Sequence, residues 1–143
     1  KGEPLPSADE LPLGACLIQP FLPGVPAEGE YSMIFFGDRF SHALNKRPKS
    51  GDYRVQSLYG ATEAVWTPGE DELALARKVL STAQEITGED AFLYARVDMV
   101  RGLNGELALM ELEIIEPYLY PEQGPQLGEK MAKAILTRLT DLP

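Results

Sequence analysis

Two short segments near residue 100 constrain the fold of this chain more than any other feature. Tyr94–Asp98 and Met110–Pro117 each alternate apolar and polar residues, which is the pattern of a half-buried β-strand. Asn104-Gly105 lies between them, and Asn-Gly is the strongest short-range signal of a hairpin turn. The sequence therefore predicts an antiparallel hairpin with a two-residue turn at Asn104-Gly105.

This turn determines which side chains of the hairpin face one another. Counting outward from it, Asp98 lies opposite Glu111, and Arg96 lies opposite Glu113. Because side chains alternate between the faces of a strand, all four share one face. Opposed carboxylates destabilise a sheet unless a cation lies between them, and carboxylate oxygens suit magnesium. The hairpin therefore predicts a magnesium site; the alternative is an exposed strand face on which Arg96 simply pairs with Glu113.

Composition indicates one soluble domain and argues against several classes of protein. The chain has 143 residues and a hydrophobic fraction of 44%, enough for one domain with a core. No apolar run is long enough to predict a membrane span. The net charge of −9, from 13 basic and 22 acidic residues, argues against non-specific nucleic-acid binding. We therefore expect a cytoplasmic protein that acts on neither membranes nor nucleic acids.

Two local features add to this expectation. The single Cys16 allows no internal disulfide and suits a reducing compartment, and its apolar neighbours predict a buried, unreactive thiol. Most of the basic residues of the middle of the chain fall in one stretch, which is suited to bind a small anion. The members of this predicted basic cluster are Arg39, His42, Lys46, Arg47, Lys49 and Arg54.

The remaining pattern predicts an α+β domain with a mostly antiparallel sheet. Helical spacing of apolar residues predicts a helix from an N-cap at Thr67 to Gly88, and a last helix over Leu127–Leu139. Both helices are expected to cover one face of the sheet. Extended segments are predicted at Ala15–Gln19 (a buried strand), Glu30–Phe36, Arg39–Lys46, Tyr53–Leu58 and Ala61–Trp66.

The domain organisation follows from the same pattern. Residues 1–14 are proline-rich and are expected to form a flexible N-terminal segment, which leaves 15–143 as the folded domain. Lys1-Gly2-Glu3 resembles a cut made inside a longer protein.

Four segments, in this order, resemble the C-terminal part of the ATP-grasp superfamily of ligases, of the glutathione synthetase and cycloserine-biosynthesis kind. Their common order over Leu17 to Pro117 carries the resemblance. The segments are Leu17–Leu22, Gly29–Ser32 with the hairpin after it, Lys46–Gln56, and the paired strands that carry Asp98, Glu111 and Glu113.

The resemblance implies roles for individual residues. Arg54 would face the γ-phosphate of ATP or the acyl-phosphate formed from it, and Arg96 would lie beside the metal. Asp98 and Glu111 would bind Mg²⁺, or Mn²⁺ in its place, and Glu113 stands where many relatives have Asn. The residues that would contact adenine or other parts of the nucleotide are Gln19, Pro20, Phe21, Leu22, Lys46 and Arg47.

The resemblance also implies a reaction, in which ATP phosphorylates a carboxylate and an amine attacks the acyl-phosphate. The sequence identifies neither the carboxylate nor the amine. Such enzymes have an earlier lobe over the phosphates, which Lys1–Ala15 is too short to supply, so the isolated chain is expected to lack ligase turnover. Its uncovered sheet face would favour a homodimer. The alternatives are a non-catalytic module that binds nucleotide or metal, and a protein-interaction domain.

Overall fold

A five-stranded antiparallel sheet forms the centre of the computed structural model, which describes residues 6–16 and 18–140. Short 3-10 helices lie at Ala8–Glu10 and Ser57–Tyr59. This architecture confirms the predicted α+β class. The strands are β1 (Glu30–Phe36), β2 (Arg39–Arg47), β3 (Thr62–Val65), β4 (Tyr94–Arg101) and β5 (Leu107–Glu113), and the α-helices are α1 (Gly24–Glu28), α2 (Glu70–Thr87) and α3 (Leu127–Thr140). Across the sheet the strands lie in the order β3-β2-β1-β4-β5.

The hairpin of β4 and β5 has the predicted pairs but a different turn. The Gly102 N–H donates to the Glu106 carbonyl at 2.8 Å, so the loop has three residues and ends at Gly105, whose φ of 82° needs glycine. This loop shifts the register by one residue. A bulge at Met110 shifts it back, so Asp98 still pairs with Glu111, and Arg96 with Glu113. The predicted two-residue turn is therefore wrong, whereas the predicted pairs are confirmed.

The two long helices pack on opposite faces of the sheet, so the prediction that they share one face is wrong. Helix α2 packs through Ala76 and Leu80 on the face that carries Met33 and Phe35. Helix α3 packs on the other face, through Leu127, Met131 and Ala134 against Ile34, Phe36 and Leu44. The reason lies in β1, where Met33–Phe36 is a continuous apolar run. Since alternate residues point to opposite faces, such a run needs cover on both.

The predicted buried strand at Ala15–Gln19 is wrong. Ala15, Cys16, Ile18 and Gln19 are exposed and lie in no strand, and Leu17 lies outside the described residues, as do Lys1–Leu5. Cys16 is therefore not the buried thiol that its neighbours predict. An apolar run forms a strand only where a sheet edge is available, and in the described part of the chain neither edge strand, β3 or β5, pairs with it.

Other element boundaries differ in detail from the prediction. The N-cap of α2 is Gly69 rather than Thr67, because the Glu72 carboxylate accepts the Gly69 N–H at 2.7 Å, whereas Gly88 ends the helix as predicted. Tyr53–Leu58 contains no strand, while the segment predicted at Ala61–Trp66 contains β3. Among the described residues, no helix combines the length and the apolar character needed to cross a membrane.

Candidate functional site

On one face of the sheet, β1, β2 and β4 carry buried polar side chains instead of apolar ones. Lys46, Glu30, Ser32, Asp98 and Arg96 lie there, and each is at least nine-tenths buried. An open cleft of about 590 Å³ lies over this polar face. Its walls include Lys46, Glu30, Arg96, Glu111, Glu113, residues 55–57, Tyr118 and Tyr120.

Asp98, Glu111 and Glu113 form an acid triad, of which Glu111 and Glu113 line this cleft and Asp98 is buried. One oxygen of each carboxylate lies within 4.8 Å of the other two. Asp98 is fully buried on β4, whereas the Glu111 side chain on the edge strand β5 is 58% exposed. The prediction that these three side chains share one face of the hairpin is confirmed. Metal binding by the triad stays a prediction.

The guanidinium of Arg96 lies inside the acid triad. Its Nη2 is 2.8 Å from Asp98 Oδ2 and 3.8 Å from Glu111 Oε2, and it forms an ion pair with Glu113 Oε1. Its Nη1 donates to the Tyr118 carbonyl at 3.2 Å. Three carboxylates so close together repel one another, and here Arg96 is the cation that offsets the repulsion.

A second cation, Lys46, lies on the other side of Asp98. Its Nζ forms an ion pair with Glu30 and is 3.6 Å from Asp98 Oδ1, while the Ser32 hydroxyl donates to the same oxygen at 2.5 Å. Burial lowers the pKa of Lys46, but the charges of Asp98 and Glu30 outweigh it and leave that pKa raised. Four carboxylates thus face two cationic side chains, which leaves the cluster with a formal charge of −2.

The pKa of Glu111 predicts how stability depends on pH. Burial, and then the charges of Glu113 and Asp98, raise this pKa above its ordinary value of 4.5. The folded chain therefore binds a proton at Glu111 more readily than the unfolded chain, so ionised Glu111 lowers stability as the pH rises past 4.5. We expect Glu111→Gln to gain stability relative to the wild type between about pH 4 and about pH 7.

Urea unfolding in the presence of a chelator, at both ends of this pH range, measures that gain. The quantity to compare is the difference in the free energy of unfolding between Glu111→Gln and the wild type. A difference that stays constant, or shrinks as the pH rises, would contradict the expectation.

The segment from Tyr118 to Gly124 closes one side of the cleft. The ring of Tyr120 lies 5.7 Å from the Arg96 guanidinium and 5.8 Å from Lys46 Nζ, and the φ of 51° at Tyr120 is unusual for a residue with a side chain. His42 holds this segment, since its Nε2 is 2.9 Å from the Leu119 carbonyl. Gly124 leaves the space that the imidazole fills. His42 thus has the structural role that is usual for a lone histidine.

Several residues of this site were not predicted. The site also contains Glu30, Ser32 and Tyr120, which line or support it. Ser32 lies opposite Asp98 because β1 pairs with β4. That pairing joins segments 66 residues apart, and no local pattern reveals it. The positive φ at Tyr120 likewise has no sequence signal.

Other predicted site residues lie outside the cleft. Arg54 is exposed, donates to Asp52 at 2.6 Å and stacks over Tyr59 at 3.9 Å. Gln19–Leu22 lies on the surface and does not line the cleft, although Phe21 contacts Tyr53, one residue from Arg54. The roles expected for these residues are not tested by their positions.

The predicted basic cluster does not form a single patch, so that prediction is wrong. Strand β2 separates Arg39 from Lys46 by about 23 Å, at roughly 3.3 Å for each residue. Lys46 is buried among acids, whereas Arg47 is exposed and donates to Asn45 at 2.8 Å. Residues adjacent in a strand point to opposite faces, which is why a run of basic residues does not make a basic surface.

A larger cavity, of about 760 Å³, lies at the other end of the sheet beside α3. Its lining contains four acidic and four basic side chains, so its formal charge is balanced. Among the described residues, the acid triad is the one group of three that could hold a metal ion. The chemistry of the chain therefore points to the cleft over the polar face. The charged residues of the larger cavity are Asp38, Arg39, Glu89, Asp90, Glu129, Lys130, Lys133 and Arg138.

Comparison with known proteins shows which proteins share this fold. The cycloserine biosynthesis protein DcsG of Streptomyces lavendulae is 31% identical over 129 residues, which are 86% of this chain and 42% of DcsG. The crystal structure of D-cycloserine synthetase DcsG matches with a TM-score of 0.74 at 29% identity, over 85% of this chain and 41% of that one. The ATP-grasp ligase PsnB, complexed with a minimal precursor, has the same fold (TM-score 0.52, 18% identity, 81% of this chain and 35% of PsnB). This chain has the fold of the ATP-grasp ligases.

The shared fold, together with the 31% identity to DcsG, confirms the resemblance that the four ordered segments carry. The chain spans about two fifths of the length of the relatives it matches. No family model matches it.

Proposed function

We propose that this chain is the metal- and nucleotide-binding part of an ATP-dependent ligase that joins a carboxylate to an amine through an acyl-phosphate. The observation that carries the proposal is the acid triad, which lies in an open cleft of an ATP-grasp fold. The rest of the full-length protein would supply the opposite wall of the nucleotide site. The two substrates are identified only by chemical class, as a carboxylate and an amine.

The triad fits a divalent cation. All of its donors are carboxylate oxygens, which Mg²⁺ prefers, and the cluster carries a formal charge of −2. Opposite ligands of Mg²⁺ lie roughly 4.2 Å apart, since each is about 2.1 Å from the ion. The triad oxygens lie within 4.8 Å of one another, so a small rotation of the exposed Glu111 side chain brings them to this spacing. Mn²⁺ would bind in the same way.

When bound, the cation would neutralise charge on the phosphates of ATP, while this chain's own residues position the nucleotide. Asp98, Glu111 and Glu113 would hold the ion. Arg96 and Lys46 would place positive charge on the cleft floor, where phosphate oxygens arrive. Arg54 would reach the phosphates by leaving Asp52, and its neighbours at residues 55–57 already line the cleft.

Titration of the chain with Mn²⁺ tests this proposal. We expect one bound Mn²⁺. We expect Glu111→Gln to weaken its binding at least about tenfold, because removing a metal ligand, or a residue that supports one, lowers metal affinity by that order. Glu111 is exposed, so the substitution leaves the core intact. Glu106→Gln, in the turn of the same hairpin, is the matched control and should bind Mn²⁺ like the wild type.

Absence of Mn²⁺ binding to the wild type, or equal binding to Glu111→Gln, would reject the metal site.

Turnover separates an enzyme from a module that only binds nucleotide. The isolated chain should form no product from ATP, whereas the full-length protein should hydrolyse ATP in a manner that depends on its carboxylate and amine. Product formation by the isolated chain would contradict the need for a second wall.

A further inference from the structure

Arg96 already occupies the place that a divalent cation would take in the acid triad. Its Nη2 lies 2.8 Å from Asp98, 3.8 Å from Glu111 and in an ion pair with Glu113, so one nitrogen contacts all three acids. An ion that binds the same three oxygens must lie close to this nitrogen. Two cations cannot share that position, since both steric overlap and charge repulsion oppose it.

Asp98 has no oxygen left for an ion while Arg96 stays in place. Its Oδ1 accepts hydrogen bonds from Ser32 at 2.5 Å and from Arg96 Nε at 3.1 Å. Its Oδ2 accepts from Arg96 Nε and is paired with Arg96 Nη2, both at 2.8 Å. A carboxylate has about four lone-pair positions, and Asp98 is fully buried. The cation therefore reaches Asp98 only by displacing Arg96.

The Tyr118–Tyr120 wall of the cleft already contacts the guanidinium where it lies. Arg96 Nη1 donates to the Tyr118 carbonyl at 3.2 Å, and the Tyr120 ring lies 5.7 Å from the guanidinium. The bond to Tyr118 uses Nη1, whereas Nη2 is the nitrogen that contacts the three acids. Tyr118 and Tyr120 line the same cleft, so a guanidinium that keeps these contacts stays exposed to whatever fills it.

We propose that Arg96 is the resident counter-ion of the acid triad, and that a divalent cation binds by displacing its guanidinium toward the Tyr118–Tyr120 wall of the cleft. The released charge is then available to an anion in the cleft. Cation binding and anion binding are coupled through this one side chain, so the free ion binds weakly and the ion with a polyphosphate binds tightly. The inference rests on the proposed metal site and adds the step by which that site opens.

Removal of the guanidinium tests the displacement. We expect Arg96→Gln to bind Mn²⁺ at least about tenfold more tightly than the wild type, because one positive charge about 4 Å from the ion is gone. Binding of Mn²⁺ should then no longer be strengthened by ATP. Arg101→Gln is the matched control: it lies at the end of the same strand, pairs with Glu28 at 3.2 Å, and should leave Mn²⁺ affinity unchanged.

A second measurement uses the wild-type chain and does not depend on how the variant folds. In NMR spectra the Arg96 Nε–H signal should be protected from exchange by its bonds to Asp98. Mg²⁺ should shift this signal and remove its protection, and ATP added with Mg²⁺ should restore it.

The outcomes distinguish this inference from the metal site itself. Tighter Mn²⁺ binding by Arg96→Gln than by the wild type supports displacement. Equal or weaker binding by a folded Arg96→Gln, or an Arg96 signal that Mg²⁺ leaves protected at saturation, overturns displacement and leaves the metal site standing. If neither protein binds Mn²⁺, the metal site fails and displacement fails with it.

Discussion

Replacing Asp98 with alanine should lower the free energy of unfolding by about 3–5 kcal/mol, the usual cost of breaking a buried ion pair from one side. Asp98 is fully buried and neutralises Arg96 on one side and Lys46 on the other. Without it, two cationic side chains remain buried with fewer partners, and the Ser32 hydroxyl loses its acceptor. Urea unfolding at neutral pH in the presence of a chelator measures the loss.

Two further variants show whether the charge of Asp98 is responsible. Asp98→Asn keeps an oxygen for the Ser32 hydroxyl but removes the charge. Its free energy of unfolding should therefore lie between that of the wild type and that of Asp98→Ala. Asp90→Ala removes an exposed aspartate and should change stability by less than about 0.5 kcal/mol. If Asp98→Ala has the same free energy of unfolding as the wild type, the polar face is hydrated rather than buried.

The second large effect is expected in the core beneath α2. Replacing Phe35 with alanine should lower the free energy of unfolding by about 3–5 kcal/mol, through lost burial and the cavity left behind. Phe35 is fully buried at the centre of β1, and its ring packs edge-on against Phe40 at 5.7 Å between ring centres. Arg77 of α2 lies over the same ring, 5.8 Å from its centre. Thermal and urea unfolding both measure the change.

Phe21→Ala is the matched control, because the same atoms are removed from a ring that is 64% exposed. It should change the free energy of unfolding by less than about 0.5 kcal/mol. Similar losses in the two variants would contradict the position of Phe35 in the core. They would also question the strand register that places it there.

Local parts of the fold could be predicted from the sequence. The hairpin of β1 and β2 was predicted almost to its boundaries, because the apolar run at Met33–Phe36 and the turn at Gly37 are local signals that act within a few positions. The pairs within the acid triad were also predicted, although the turn was not. The added loop residue and the bulge at Met110 cancel, so the prediction was correct at Asp98 and Glu111 for a reason that the sequence pattern does not contain.

Non-local contacts account for most of what could not be predicted. Ala15–Gln19 has the apolar character of a buried strand, but in the described residues it has no strand partner. The basic cluster looked like one surface, yet burial turned Lys46 toward Glu30. In each case the outcome depends on which segments pair across the sheet, and this depends on the free energy of the whole fold.

From the sequence alone, three acids and one arginine can be assigned to a common face of a hairpin, because side-chain alternation is a property of every strand. The tertiary structure decided what happens between them. Burial beneath the cleft removes water from Asp98, and pairing with β1 brings Ser32 and Lys46 to it. Since a buried carboxylate must find its partners within the protein, the nearest cation, Arg96, lies inside the triad.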